Sequence, residues 1–134
     1  MIQVSLLVSI ALLHLTTARA TRNQIYSPPT FDETEENVTA RVGDTARLPC
    51  SVQNLGDKRV VWYKVDQPAP ITIGEYIFVS DWNYHLEHRL TSTSSSEWNL
   101  LIQDVNYQYA GVYTCKISGR SESAARYVTL NVVG

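Results

Sequence analysis

Leu100-Leu101-Ile102-Gln103-Asp104-Val105-Asn106-Tyr107-Gln108-Tyr109-Ala110-Gly111-Val112-Tyr113-Thr114-Cys115 is the stretch on which the fold of this chain turns. With Trp98 just before it, Leu100 and Ile102 fall on alternate positions, which puts three apolar side chains on one face of a strand. Asp104 closes that run, and Val112 to Ile117 (VYTCKI) opens another, with Tyr113 two residues before Cys115. Upstream, Thr45 to Ser51 (TARLPCS) alternates Ala46, Leu48 and Cys50 behind the turn residues Val42-Gly43-Asp44. Trp62 follows Cys50 by twelve positions, inside the β-branched and aromatic run Val60 to Val65. Pro70 to Val79 reads as two short strands around Gly74 and Glu75, and Arg126 to Val133 as the last strand. No segment keeps a helical period and no internal repeat is visible. Seven to nine short strands in a chain of 134 residues predict an all-β, two-sheet antiparallel sandwich.

The spacing Cys50…Trp62…Tyr113-x-Cys115 resembles the immunoglobulin fold. That resemblance implies a disulfide between the sheets, Trp62 packed on it, Leu100 in the core and Tyr113 as a tyrosine corner. The interval between Trp62 and Trp98 leaves room for C′ and C″ strands, so the expectation is a variable-type (V-type) immunoglobulin-like β-sandwich over residues 31–134. Gly119-Arg120-Ser121 stands where antigen receptors carry a Phe-Gly-x-Gly bulge, which argues against that group.

Finer features, Trp62-Tyr63-Lys64-Val65, Ile71-Thr72-Ile73-Gly74, Ser96-Glu97-Trp98-Asn99-Leu100 and Gly111-Val112-Tyr113-Thr114-Cys115, narrow the likeness. They resemble the first domain of invertebrate neuronal receptors: the defective-proboscis-extension-response proteins, their interacting partners and the zwei-Ig-domain proteins. Such receptors recognise each other through the C–C′–C″–F–G face. They usually carry Asp where this chain has Tyr109, paired with an Arg at the start of strand D. Arg89 is taken for that position, turned to solvent or to Glu87.

Residues 1–20 read as a signal peptide: an apolar run from Val4 to Leu15, too short to span a bilayer, then Ala18-Arg19-Ala20. Residues 21–30 read as a flexible lead-in ending in a Pro pair. In an oxidising lumen the two cysteines, Cys50 and Cys115, admit one disulfide. Closing that loop is worth roughly 4 kcal/mol in the chain-entropy picture. Asn37-Val38-Thr39 is a glycosylation sequon, expected near the first strand and away from the binding face.

Alternation nominates that face. With Trp62 and Cys115 inward, Val61, Tyr63 and Val65 turn outward on one strand, and Thr114, Lys116 and Ser118 on its neighbour. Ile71, Ile73, Tyr76 and Phe78 extend the face; Val61, Tyr63, Val65, Ile73, Tyr76, Thr114 and Lys116 are the partner-binding candidates. Trp82 and Tyr84 sit in the loop before strand D, as exposed anchors or as caps on the sandwich edge.

Enzymatic chemistry has no foothold. A formal net charge of −2 offers no basic stripe for nucleic acid, and no Lys/Arg cluster offers a membrane patch. His85 and His88 lack further ligands for a metal, Glu33, Glu35 and Glu36 read as a solvated edge, and Ser94 to Ser96 as a hairpin loop. Neither cofactor, metal nor small-molecule substrate is expected. The expected role is recognition or adhesion between surfaces in the nervous system, secreted or on the extracellular face. The expected partner is another immunoglobulin-superfamily surface protein, different or identical. Any membrane attachment would come through a missing C-terminal anchor or through the partner. A soluble immune-type binder and a structural spacer in a larger extracellular protein are the rival readings.

Overall fold

Burial along the longest strands follows the alternation of the sequence. From Ser95 to Ile102 the chain buries Trp98, Leu100 and Ile102 against the core and turns Glu97, Asn99 and Leu101 away from it. This computed structural model describes residues 27–119 and 124–134, so the expected signal peptide and most of the lead-in lie outside the described residues. The strands are β1 (Thr30–Phe31), β2 (Asn37–Arg41), β3 (Ala46–Leu48), β4 (Ser51–Gln53), β5 (Arg59–Lys64), β6 (Thr72–Ile73), β7 (Tyr76–Ile77), β8 (Tyr84–Leu90), β9 (Ser95–Ile102), β10 (Gly111–Ser118) and β11 (Ala125–Val133). A 3₁₀ turn, Tyr107–Tyr109, is capped by the Asn106 side chain.

Two sheets face each other. One runs β1-β4-β9-β3 with β8 also on β9; the other runs β2-β11-β10-β5-β6-β7. Every pairing is antiparallel except β2 with β11, which is parallel. Leu48, Val52, Val60, Trp62, Leu100, Ile102, Tyr113, Val128 and Leu130 fill the space between the sheets. Cys50 and Cys115 are joined there, and the Trp62 indole donates to the Trp98 carbonyl at 2.8 Å. A buried indole N–H left without an acceptor would cost free energy, so this bond fixes the ring in place.

Two expectations needed revision. The strand read over Thr45 to Ser51 is broken into β3 and β4 at Pro49, whose nitrogen cannot donate to a ladder. Next to the break, the Asn99 side chain accepts from the Cys50 amide at 3.1 Å in place of a strand carbonyl. At the start of the chain, Thr30 belongs to β1 and not to a free lead-in; Asp32 just after it accepts from Ser51 and Gln53. The paired strands expected around Gly74 and Glu75 are β6 and β7, with Gly74 at φ +59° in the tight turn between them.

Candidate recognition face

The register of the six-stranded sheet arranges its outward side chains in rows. One row crosses Tyr76, Ile73, Val61, Lys116 and Ala125. The next crosses Tyr63, Thr114 and Tyr127. A third begins at Val65, whose amide donates to the Val112 carbonyl, and continues through Val112 and Thr129 to Asn37. Val65, Tyr76, Val112 and Tyr127 are exposed, and Tyr63, Ile73 and Lys116 are half-buried.

Two candidates are less available than alternation implied. Val61 is only 8% exposed, flanked in register by Ile73 and Lys116. Thr114 is only 4% exposed, between Tyr63 and Tyr127, and its hydroxyl has no hydrogen-bond partner. Large neighbours on adjacent strands close over a small central side chain, which period-two counting does not see. The Lys116 ammonium lies 5.2 Å from the Tyr63 ring centroid, so the lysine stem spans the sheet while its charge meets the ring face. Val112 and Tyr127 were missed, although alternation from Tyr113 and Val128 would have found them.

Asn37 also departs from expectation. Ala40 is buried and Val38 packs on the core, so Asn37 and Thr39 face the other way, outward and exposed. The sequon therefore lies on the outer face of this sheet, at its β2 edge.

A polar cluster closes the end of the sandwich beside that face. The Tyr109 hydroxyl donates to Asp81 at 2.9 Å, the Tyr113 hydroxyl donates to the Tyr109 carbonyl at 2.6 Å, and the Tyr84 hydroxyl lies 3.4 Å from that of Tyr113. Burial raises the Tyr113 and Tyr84 hydroxyls above the ordinary tyrosine value. Burial, helped by the bond to Asp81, pushes Tyr109 up to about 12. Tyr84 is thus a core residue, not an exposed anchor; Trp82, two residues earlier, is almost wholly exposed and caps nothing.

Arg89 does not occupy the start of strand D. It lies near the end of β8 and its guanidinium donates to Glu97 at 3.0 and 2.5 Å, with Glu87 3.9 Å away. Glu87 is held instead by Arg47 and by the Asn99 amide, and these bonds, Arg47's first, lower its carboxyl below the usual range. His88 stacks on Trp98 at 3.8 Å and contacts Glu75 through Nδ1 at 3.0 Å. Among the described residues no three His, Cys, Asp or Glu side chains converge as a metal site, and no helix is long and apolar enough to cross a membrane.

Residues 29–132 match the immunoglobulin I-set domain. The chain belongs to this family. The I-set domain here keeps both a C′ and a C″ strand, β6 and β7, at two residues each. It is 33% identical over 94 residues to lachesin of Schistocerca americana, covering 66% of this chain and 26% of lachesin. A structure of Dpr1 IG1 bound to DIP-eta IG1 superposes with a TM-score of 0.70 at 33% identity, covering 79% of this chain and 97% of that one. A RIG-5 IG1 homodimer superposes at 0.71 with 26% identity, covering 81% and 100%. The I-set domain spans about a quarter of the length of the curated relatives it matches.

Proposed function

We propose that this I-set domain is an extracellular recognition module that pairs, sheet against sheet, with another immunoglobulin domain, and that it performs no catalysis. The carrying observation is the outer face of the six-stranded sheet. A half-buried centre of Tyr63, Ile73 and Lys116 is flanked by exposed Val65 and Tyr76. Exposed apolar side chains grouped on one face mark docking surfaces, and aromatic anchors dominate their energetics. The likeness to Dpr1 bound to DIP-eta and to the RIG-5 homodimer supports an immunoglobulin partner, different or identical. The resemblance to invertebrate neuronal receptors supports recognition between cell surfaces in the nervous system.

The test is capture of the secreted full chain by a panel of extracellular immunoglobulin domains that includes a second copy of itself. A Val65→Asp/Tyr76→Asp variant runs beside it, both positions being exposed enough to leave the fold intact. Saturable binding lost in the variant, with an unchanged circular dichroism spectrum, supports the face. Binding that survives the variant rejects the face, and a folded chain that captures nothing rejects recognition by this class of partner.

A further inference from the structure

We propose that Asn37 carries an N-linked glycan standing on the recognition face itself, which masks the β2–β11 side of that face and leaves the β5–β6–β7 side for the partner. Three observations converge. Asn37 and Thr39, the two side chains the sequon requires, are both exposed. Both point away from the core, because Val38 and Ala40 between and beside them point into it. The parallel register sets Asn37 beside Thr129, in the row that continues through Val112 to Val65.

Sheet geometry converts that register into reach. Neighbouring strands lie about 4.8 Å apart and each residue advances about 3.3 Å. Tyr127, one strand over and two residues back from Thr129, is therefore about 8 Å from Asn37 at the backbone. Val112 is about 10 Å away, whereas Tyr76 on β7, five strands across and four residues along, is about 27 Å away. A bulky, hydrated oligosaccharide rooted at Asn37 covers the first two and leaves the last clear. It also stands beside the outer edge of β2, which pairs with no other strand among the described residues and would otherwise invite one.

The modification needs a lipid-diphosphate-linked oligosaccharide as donor. The Asn37 side-chain nitrogen forms a bond to the anomeric carbon, the carbon–oxygen bond to the diphosphate breaks, and the lipid diphosphate leaves. One amide proton is released. No electrons are exchanged with another reagent.

The seating of the partner rests on the recognition reading above; the shielding does not, and the experiment separates them. The full chain is secreted from eukaryotic cells as wild type, Asn37→Gln, Thr39→Ala and the sequon-preserving Thr39→Ser. Intact mass is expected to fall by a glycan in the first two variants and not in the third. Each protein is then nitrated with tetranitromethane and mapped by peptide mass. Tyr127 and Tyr76 are similarly exposed in the bare domain, at 58% and 66%. Removing the glycan is expected to raise Tyr127 nitration several-fold and leave Tyr76 unchanged. An unmodified Asn37, or a Tyr127 signal indifferent to the glycan, overturns the proposal. In the same panel, Tyr127→Asp on the glycosylated chain is expected to leave capture intact, and lost capture would also overturn it. A panel that captures nothing counts against the recognition reading alone, since nitration reports shielding without a partner.

Discussion

Tyr109 donates its hydroxyl to Asp81 across 2.9 Å, at the position where the resembled neuronal receptors carry an aspartate. The carboxylate at this corner thus comes from the β7–β8 connection, and the 3₁₀ turn before β10 supplies the donor. The polarity of the contact is reversed, and the ring of Tyr109 adds an edge-to-face contact with Tyr84 at 5.5 Å.

Restoring aspartate at this position is therefore expected to harm the domain. Tyr109→Phe loses one hydrogen bond, worth about 1 kcal/mol, or about 4–8 °C in Tm for a domain of this size. Tyr109→Asp sets a second carboxylate beside Asp81 and should lower Tm further at pH 7 than the Phe variant does. Part of that excess should return as the pH falls through the carboxylate range. Thermal melts of both variants at pH 7 and pH 4 check the order; an Asp variant as stable as wild type at pH 7 refutes it.

The same corner dictates an alkaline limit. Tyr84, Tyr109 and Tyr113 all have raised folded-state values, Tyr109 to about 12 against an ordinary 10. A raised value means that the stabilisation is complete below pH 10 and is lost as pH climbs from there through about 12, because the unfolded chain ionises first. Absorbance of tyrosinate should show three of the eight tyrosines ionising only together with unfolding. A smooth titration of all eight before the far-ultraviolet spectrum changes would contradict this.

At the acid end the sign is opposite. Glu87 is depressed by Arg47 and Asn99, so its contribution is present above the ordinary glutamate value and fades as pH falls through the lower folded value. Denaturant midpoints followed from pH 6 to pH 3 should decline less steeply in Glu87→Gln than in wild type.

Along β9 and its neighbours two polar groups should behave very differently. Asn99→Ala removes the acceptor of the buried Cys50 amide and is expected to cost about 1–3 kcal/mol. Arg89→Ala breaks an exposed, solvent-screened pair with Glu97 and should cost far less. Chemical denaturation of the two variants compares them directly.

Thr114 offers a gain. Its hydroxyl is buried without a partner, so Thr114→Val removes a desolvated polar group with little change of shape and should raise stability by about 1–3 kcal/mol. A drop in Tm instead would mean that the hydroxyl is hydrated in solution.

The architecture was legible wherever hydrophobic alternation ran unbroken. Cys50, Trp62, Leu100, Tyr113 and Cys115 are in the core at the positions their spacing implied. β8 was not legible as a strand, because His88 takes an inward position that alternation assigns to an apolar residue, and it is accommodated by stacking on Trp98. The outer face of the six-stranded sheet, proposed for recognition, was half legible. Parity gave its direction correctly, but Val61 and Thr114 are covered by larger neighbours two strands can supply and one strand cannot reveal. Asn37 escaped for a related reason: that β2 pairs with β11, and so joins this sheet, depends on contacts between the two ends of the domain.

That parallel pairing has a mechanical consequence. Tension applied before Asn37 and after Val133 pulls β2 and β11 past each other along their lengths, loading their hydrogen bonds together, from the Glu36–Thr129 bond to the Val133–Val42 bond. An antiparallel hairpin pulled at its open end would instead unzip bond by bond. The Cys50–Cys115 crosslink then withholds the 65-position span between the cysteines from extension. A domain placed between two adhering cells would yield abruptly at one threshold and lengthen only by its outer strands, a signature that single-molecule force extension can read.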